Sequence, residues 1–364
     1  MKIPYVNFAL SWQKEKKNIL KIVSTVFKKG EFIGGKEVDK FEKNIARYCG
    51  TKYAVSFNSG TDALTIGLLL LGVRKGDEVI TPPNSFISST SCIVHIGAKP
   101  VFVDVQDDQN IDPYKIENAI TKKTKAIMPV HLTGRICEMK KILAISKKYN
   151  IPIIEDAAQS IGSKYCNKMA GSFGKIGCFS THPLKNLNAA GDGGFFVTND
   201  FKIYKKAQEM KNHGNVNRNK VNKFGYLSRM DAVQASILNF RLKGLNTVIK
   251  KRRANAKYFL KYLDRKIFFL VDEKKHQFNT YHTFVIQTKN RNKLIKFLKK
   301  KGIGCAIHYP TPIHLQPASK YLKNKKNSFP VTEYQSKKIL TIPINQNLSI
   351  ENIKYIVKVM NNFK

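Results

Sequence analysis

The chain has 364 residues, of which 42% are hydrophobic and 24% are charged, and this is enough for one large domain and a smaller one. No apolar run reaches the roughly 18 residues that a membrane-spanning helix needs. The N-terminal residues also lack the uninterrupted apolar stretch of a signal peptide. We therefore expect a cytoplasmic protein with no membrane partner.

The six cysteines, at positions 49, 92, 137, 166, 178 and 305, form no Cys-x-x-Cys pair. None of them stands beside a histidine at the spacing of a metal site. We therefore expect free thiols in a reducing compartment and no bound metal.

The net charge of +39 is unusual and can indicate an anionic partner such as nucleic acid. The lysines, however, are spread along the whole chain, without an Arg-rich tail, a zinc finger or an RNP-type aromatic motif. We interpret most of them as solvated helix faces and expect no nucleic-acid partner. Attraction of a phosphorylated cofactor, a nucleotide-linked substrate or a membrane surface remains an alternative role for the charge.

Short β-rich runs alternate with helical stretches through the first two-thirds of the chain. This alternation predicts a mostly parallel sheet flanked by helices, with ligands bound beyond the carboxyl ends of the strands. Strands are predicted at residues 53–57, 78–81, 100–105, 126–130, 152–155, 176–180 and 194–198. Helices are predicted from residue 61 and at residues 88–95, 113–120 and 139–149.

A long helix is predicted from residue 228 to about residue 263, where apolar residues recur with helical spacing. Beyond it, a strand at 281–287 and amphipathic helices at 290–301 and 350–360 indicate a second, smaller α+β unit. We therefore expect a large domain at residues 1–245 and a small C-terminal domain at 246–364.

Small hydroxyl residues and a glycine lead from the first predicted strand into the first predicted helix of the sheet region, at Ser59, Gly60 and Thr61. Backbone N–H groups at a helix N-terminus, together with hydroxyls, can bind a phosphate. Ser and Thr are also the residues that ordinarily cap helices, so a plain N-cap is the alternative.

Two acids, Glu155 and Asp156, end an apolar strand, which is a costly place for charge unless the charge is paired. A carboxylate here can hold a protonated pyridine nitrogen and keep the ring an electron sink. A helix cap or a metal carboxylate is the alternative. Gln159 can hydrogen-bond a phenolate-type oxygen or lie at the surface.

Lys185 follows the predicted strand that ends at Ser180, in the segment Ser180-Thr181-His182-Pro183-Leu184-Lys185. A lysine that is desolvated or set beside cations loses its proton readily and becomes a Schiff-base nucleophile. Glycines at 191, 193 and 194 would let the backbone turn beside a bulky ligand. The chain is rich in lysine, so position and neighbours single out Lys185.

The loop from His308 to Pro317 combines two histidines, His308 and His314, with Tyr309 and three prolines. Substrate contacts and a purely structural Pro-rich crossover both fit this composition. From this loop Tyr309 and His314 are candidate substrate-binding residues, together with His182.

Taken in order, these segments resemble the DegT/DnrJ/EryC1/StrS sugar aminotransferases, a branch of the fold-type I pyridoxal-phosphate (PLP) enzymes. The resemblance covers essentially the whole chain, and the ordered set is far more specific than any one piece. It rests on residues 30–38 ahead of Phe41-Glu42, on 59–64, 129–134, 155–159, 180–185 and 228–235, and on Tyr309, His314 and Gln316.

The resemblance implies the fold, the cofactor and a role for each matched residue. The fold would be a large domain with a mostly parallel mixed sheet flanked by helices, plus the smaller α+β domain. Lys185 matches the lysine that holds PLP and later moves the proton during transamination. The other cofactor-binding matches are Asp156 at the pyridinium nitrogen, Gln159 beside the ring's 3-oxygen, Phe86 stacked on the ring, and Gly60, Thr61 and Ser180 at the phosphate. For Phe86 taken alone, core packing is the alternative.

The family also implies a homodimer with active sites at the interface. Many members carry an asparagine in the segment Gly225-Tyr226-Leu227-Ser228-Arg229, and that side chain reaches the cofactor phosphate of the neighbouring subunit. Here the position is Leu227. The cross-subunit phosphate contact is therefore in question, although Arg229 is nearby.

The sequence thus predicts an aminotransferase that moves an amino group from an amino acid, L-glutamate by family analogy, to a keto sugar in amino-sugar biosynthesis. The small-molecule partners would be the donor and a nucleotide-linked keto sugar. Two alternatives are a PLP- or pyridoxamine-phosphate-dependent dehydratase and a PLP-binding regulator. The dehydratase branch typically has histidine where this chain has Lys185, and the +39 charge is what favours the regulator.

Overall fold

The computed structural model describes residues 1–217 and 219–363. Two N-terminal helices, which the sequence analysis did not predict, precede the elements of the sheet region. In chain order they are α1 (Phe8–Lys29), α2 (Lys36–Cys49), β1 (Tyr53–Phe57), α3 (Gly60–Leu70), β2 (Glu78–Thr81), α4 (Ser88–His95), β3 (Lys99–Phe102), β4 (Thr124–Ile127), α5 (Met139–Tyr149), β5 (Ile154–Asp156), β6 (Lys164–Tyr165), β7 (Lys168–Met169), β8 (Ile176–Ser180), β9 (Gly194–Thr198) and α6 (Phe201–Met210).

The remaining elements include the long helix and the C-terminal unit. They are β10 (Asn215–Asn217), β11 (Lys220–Val221), α7 (Ala232–Tyr262), β12 (Gln277–Phe278), β13 (Phe284–Gln287), α8 (Arg291–Lys300), α9 (Pro330–Lys338), β14 (Ile339–Ile342) and α10 (Ile350–Asn361). Within the described residues, no helix is long and apolar enough to cross a membrane.

The central sheet is mixed but mostly parallel, as predicted. One part has the strand order β1-β9-β8-β5 and the other the order β3-β2-β4. Parallel bridges from Ile127 to Ile153 and from Val130 to Asp156 join the two parts. Only β9 runs against its neighbours β1 and β8, whereas the β5–β8, β2–β3 and β2–β4 pairs are parallel. The carboxyl ends of β5 and β8 therefore lie at one edge of the sheet, where Asp156 and Ser180 meet.

Several predicted bounds differ from the structure. Residues 113–120 form two short 3₁₀ turns, Pro113–Lys115 and Glu117–Ala119, rather than one α-helix. Such turns are common as connectors, and Pro113 supports only the first of them. The long helix begins at Ala232 rather than at residue 228, and its N-cap, Asp231, has an extended backbone.

Two hydrophobic clusters lie along α7. Leu245 and Ile249 belong to the cluster on one side of the central sheet, whereas Ala256 and Phe259 belong to the cluster built by the C-terminal elements. The predicted boundary between residues 245 and 246 thus falls inside α7, and the division into two domains remains a prediction. Ile3, from the chain's N-terminus, packs in the C-terminal cluster and bridges to Ile303.

Candidate active site

A cavity of about 270 Å³ opens at the carboxyl ends of β5 and β8. It brings together nearly all the residues that the sequence singled out, although they come from distant parts of the chain. Its walls include Gly60, Thr61, Phe86, Asp156, Gln159, Ser180, His182, Lys185 and Tyr309.

The N-terminus of α3 forms one end of this cavity. Ser59 accepts a hydrogen bond on its side-chain oxygen from the backbone N–H of Asp62, at 3.1 Å, so it is a genuine N-cap. Thr61 donates its hydroxyl to Ser88 at 2.9 Å. A Cβ on Gly60 would lie only 2.8 Å from the Ser180 Cβ, so only glycine lets these two segments approach. Ser59 is therefore an N-cap, and the same helix end also carries hydroxyl groups and backbone N–H groups that suit a phosphate.

Asp156 is 5% exposed, and neighbouring groups stabilise its buried charge. The Ser89 hydroxyl donates to one carboxylate oxygen at 2.7 Å, and the backbone N–H of Ala158 donates to the other at 3.1 Å. Both carboxylate oxygens therefore have hydrogen-bond partners, as buried polar atoms require. Asp156 can therefore accept a further proton donor from a ligand in the cavity.

Glu155, the other acid of this strand, faces away from the cavity and is fully buried. It accepts the backbone N–H groups of Gly171, Phe173 and Gly174 at 2.6–2.8 Å, and its Oε2 lies 2.9 Å from His131 Nε2. Because the backbone N–H of Cys137 donates to His131 Nδ1, Nε2 carries the ring proton and donates to Glu155. The adjacent acids thus have separate partners, as the cost of burying charge requires.

Lys185 lines the cavity and is half-buried. Desolvation lowers the pKa of Lys185 to about 8, and the negative charge of Asp156 opposes part of this shift. Near pH 8 a large share of the amines is therefore neutral, which is the form that attacks a carbonyl carbon. An ordinary lysine reaches that state only near pH 10.

Gln159 and Tyr309 are held together at the cavity wall. The Gln159 side-chain oxygen accepts the backbone N–H of Thr133 at 2.8 Å, and its amide donates to the Tyr309 hydroxyl at 3.4 Å. The Phe86 ring, with its centroid 6.0 Å from that of Tyr309, is 55% exposed. Phe86 is therefore a cavity wall residue, and the alternative of core packing does not hold.

The two histidine predictions have different outcomes. His182 lines the cavity and is exposed. His314 lies outside it, because it is only 3% exposed and its Nε2 lies 3.1 Å from the Glu333 carboxylate. Its ring also meets Phe329 edge to face, with centroids 4.7 Å apart. The structure thus gives His314 a packing role rather than access to a substrate.

His308, from the same loop, lines the cavity instead, as do His282 and Asp192. Burial and the charge of Lys185 lower the pKa of His308 to about 4. The same two causes, with burial the larger, lower the pKa of His282 strongly. Both imidazoles are therefore neutral at ordinary pH. The loop composition could have pointed to His308, but no local pattern marks His282.

These groups fit a phosphorylated pyridine aldehyde. A helix end suited to phosphate, a buried carboxylate suited to a ring N–H and a lysine with a lowered pKa share one cavity. The glycine at position 60 lets the start of α3 pack against Ser180, which brings the helix end and this hydroxyl to the same end of the cavity. This combination is typical of enzymes that work through a covalently held cofactor.

The chain belongs to the DegT/DnrJ/EryC1/StrS aminotransferase family, whose model matches residues 13–361. A dTDP-3-amino-3,6-dideoxy-alpha-D-galactopyranose transaminase from Aneurinibacillus thermoaerophilus is 38% identical, covering 99% of both chains. A protein named pleiotropic regulatory protein, from Geobacillus stearothermophilus, is 37% identical over 98% of this chain and 97% of that one. The expected family is confirmed.

Solved structures confirm the fold. DesV of S. venezuelae, in complex with a ketimine intermediate, superimposes with a TM-score of 0.96 and 31% identity, covering 99% of this chain and 98% of that one. NtdA of Bacillus subtilis, with bound cofactor pyridoxamine phosphate (PMP), has a TM-score of 0.92 and 30% identity, covering 99% and 84%. The predicted architecture of a PLP-dependent sugar aminotransferase is therefore correct.

The segment around Leu227 lies at the surface of the chain. Leu227 is 55% exposed and bridges to Asn212, while Phe224 is fully exposed. Arg229 donates to the Asn212 side chain at 3.2 Å. Leu227 and Arg229 do not line the cavity of their own chain within the described residues.

Proposed function

We propose that this protein is a PLP-dependent aminotransferase that moves an amino group from L-glutamate to a nucleotide-linked keto sugar. The observation that carries the proposal is the single cavity in which Lys185 faces Asp156 and the N-terminus of α3. The family membership supports the reaction type, and the name of the A. thermoaerophilus relative supports a sugar as acceptor.

Each cavity residue has a defined task in this reaction. When bound, PLP withdraws electrons from the substrate carbon that bears the amino group. Lys185 Nζ would hold the cofactor and, when free, would move the proton at that carbon. Asp156 would accept the N–H of the ring nitrogen, and Ser89 keeps the carboxylate in place.

The remaining groups position the cofactor. Gly60, Thr61 and Ser180 line the cavity and would hold the phosphate, while Phe86 would pack on the ring. Gln159, fixed by its bonds to Thr133 and Tyr309, would lie beside the ring oxygen.

We further propose that the protein acts as a homodimer in the cytoplasm and supplies an amino sugar for a surface polysaccharide or a similar glycan. The exposed apolar residues Phe224, Tyr226 and Leu227 support a partner surface on this part of the chain. Burying such a patch against a second copy would remove its apolar area from water. Sedimentation equilibrium tests the dimer, and a monomer at micromolar concentration would contradict it.

An absorbance titration tests the reaction. Wild type with PLP should form an adduct that borohydride fixes on Lys185, as peptide mass spectrometry would show, and L-glutamate should convert the cofactor to PMP. Lys185→Ala should give no fixed adduct, whereas Lys175→Ala, outside the cavity, should behave as wild type. The proposal would be refuted if the wild type formed no adduct, or if no amino donor changed its absorbance spectrum. A screen of dTDP- and UDP-linked keto sugars then identifies the acceptor.

A regulatory role is the second candidate, supported by the net charge of +39 and by the name of the G. stearothermophilus relative. Binding to nucleic acid should then weaken steeply as salt rises, since phosphate contacts release counterions. Salt-dependent retention of DNA or RNA by the purified protein would support this role. The dehydratase alternative lacks support, because the cavity contains Lys185 at the cofactor-binding position.

A further inference from the structure

A small side chamber of about 30 Å³ lies next to the cavity. Leu184, His282 and His308 line both spaces, so the chamber and the cavity adjoin at these residues. The opposite wall of the chamber includes Tyr5 and Arg252. A space of this size holds about two waters or one carboxylate group.

Arg252 is the only charged group among the described residues that line the chamber, and it is 7% exposed. Three hydrogen bonds fix it: Nη1 donates to the backbone oxygens of Tyr281 and His282 at 3.2 and 3.0 Å, and Nε donates to the Gln346 side chain at 3.2 Å. Nη2 makes no hydrogen bond within residues 1–217 and 219–363. A rigid guanidinium therefore retains an unused donor.

The charge of Arg252 lacks a carboxylate partner among the described residues. The next residue, Arg253, pairs with Glu273 at 2.8 Å, and Arg241 pairs with Glu15 at 2.6 Å. Desolvation lowers the pKa of Arg252 to about 10, so the charged form is disfavoured by its surroundings. A buried cation that remains unpaired costs free energy, which an anionic ligand would recover.

We infer that the side chamber is a carboxylate subsite, in which Arg252 binds a carboxylate of the amino donor and of the 2-oxo acid formed from it. This inference rests on the proposed function, because that function places the donor amine at Lys185, the residue next to Leu184. His282 and His308 are neutral, so Arg252 is the cation available to the carboxylate. The Tyr5 hydroxyl is retained as a neutral donor, because burial raises its pKa to about 12.

Equilibrium binding of glutarate tests the inference without turnover. Glutarate has the two carboxylates of the donor but no amino group, and it is titrated calorimetrically into PLP-loaded enzyme. We expect Arg252→Gln to weaken glutarate binding at least about tenfold, because a hydrogen bond to a charged group is lost. The matched control is Arg253→Gln, the same change one residue along α7, and it should leave glutarate binding unchanged.

The choice of donor identifies which carboxylate is bound. A larger loss of kcat/KM for L-glutamate than for L-glutamine in Arg252→Gln places the distal carboxylate in the chamber. An equal loss for both donors, with the KM for keto sugar unchanged, places the α-carboxylate there. Either result supports the subsite.

Three results would overturn the inference and leave the proposed function standing. They are an unchanged glutarate affinity in Arg252→Gln, an equal loss of affinity in Arg253→Gln, and a wild type that reacts with amino donors but binds no glutarate. A wild type that reacts with no amino donor refutes the proposed function itself. Should Arg252→Gln not fold, Val6→Phe fills the chamber and leaves the guanidinium in place. Loss of glutarate binding in that variant supports the subsite, and unchanged binding overturns it.

Discussion

Replacing Gly60 by alanine tests the phosphate end of the active site directly. The added methyl would lie 2.8 Å from the Ser180 Cβ and 3.0 Å from the Ser180 Cα. Carbon atoms pack favourably at about 3.5–4.0 Å, so either the start of α3 or the end of β8 must shift by a few tenths of an ångström or more. Both segments belong to the predicted phosphate site, and their shift would misplace its donors.

The magnitude follows from the cost of overpacking a well-packed site, which is about 1–3 kcal/mol. If this cost falls on the PLP-bound state, the dissociation constant for PLP rises between about fivefold and about 150-fold. Alanine also favours the helix by up to about 1 kcal/mol relative to glycine, which partly offsets any loss of stability in the apo protein. We therefore expect PLP affinity to fall more than the unfolding temperature of the apo protein.

Gly67→Ala is the matched control in the same helix. Its methyl would also lie 2.8 Å from a neighbour, but that neighbour is the terminal Cδ1 of Ile154, which can rotate away. Fluorescence titration of each apo protein with PLP gives the affinities, and thermal unfolding gives the stabilities. Wild-type PLP affinity in Gly60→Ala, or an equal loss in Gly67→Ala, would refute the assignment of this turn to the phosphate.

Three further changes test other parts of the site. Lys185→Met should raise the melting temperature of the apo protein at pH 7, because folding lowers the pKa of Lys185 from 10.5 to about 8 and so costs stability wherever the lysine is protonated in the unfolded chain. The gain should fade between about pH 8 and pH 10.5, and a pH-independent gain would contradict this. Ser89→Ala should lower the unfolding free energy by about 1.5–3 kcal/mol in urea denaturation, unlike Ser91→Ala on the same helix, because a bond to the buried Asp156 is lost. Leu227→Asn should tighten PLP binding about 2- to 12-fold if this residue faces the partner subunit's cofactor, and an unchanged dissociation constant would place it elsewhere.

The local order of motifs was enough to predict the central chemistry. Strand ends followed by small, acidic or basic residues placed Gly60, Asp156, Ser180 and Lys185 at one edge of a parallel sheet, and the structure brings all four to one cavity. This works because the carboxyl ends of parallel strands share an edge whatever the loops do. The family resemblance then supplied roles that the spacing alone left open.

Other features depend on contacts between distant segments, and the sequence did not determine them. His308 and His314 belong to one loop, but pairing with Glu333 turns His314 into the interior and leaves His308 at the cavity. His282 lies just before β13, far along the chain from the strands that carry Asp156 and Ser180, and only tertiary packing brings it to the cavity. Arg252 and Arg253 are adjacent and identical, but tertiary packing gives Arg253 the Glu273 carboxylate and gives Arg252 the Tyr281 backbone oxygen. The sequence by itself determined which residue types stand at the strand ends, whereas burial and charge pairing, which arise only on folding, decided which side chains meet a ligand.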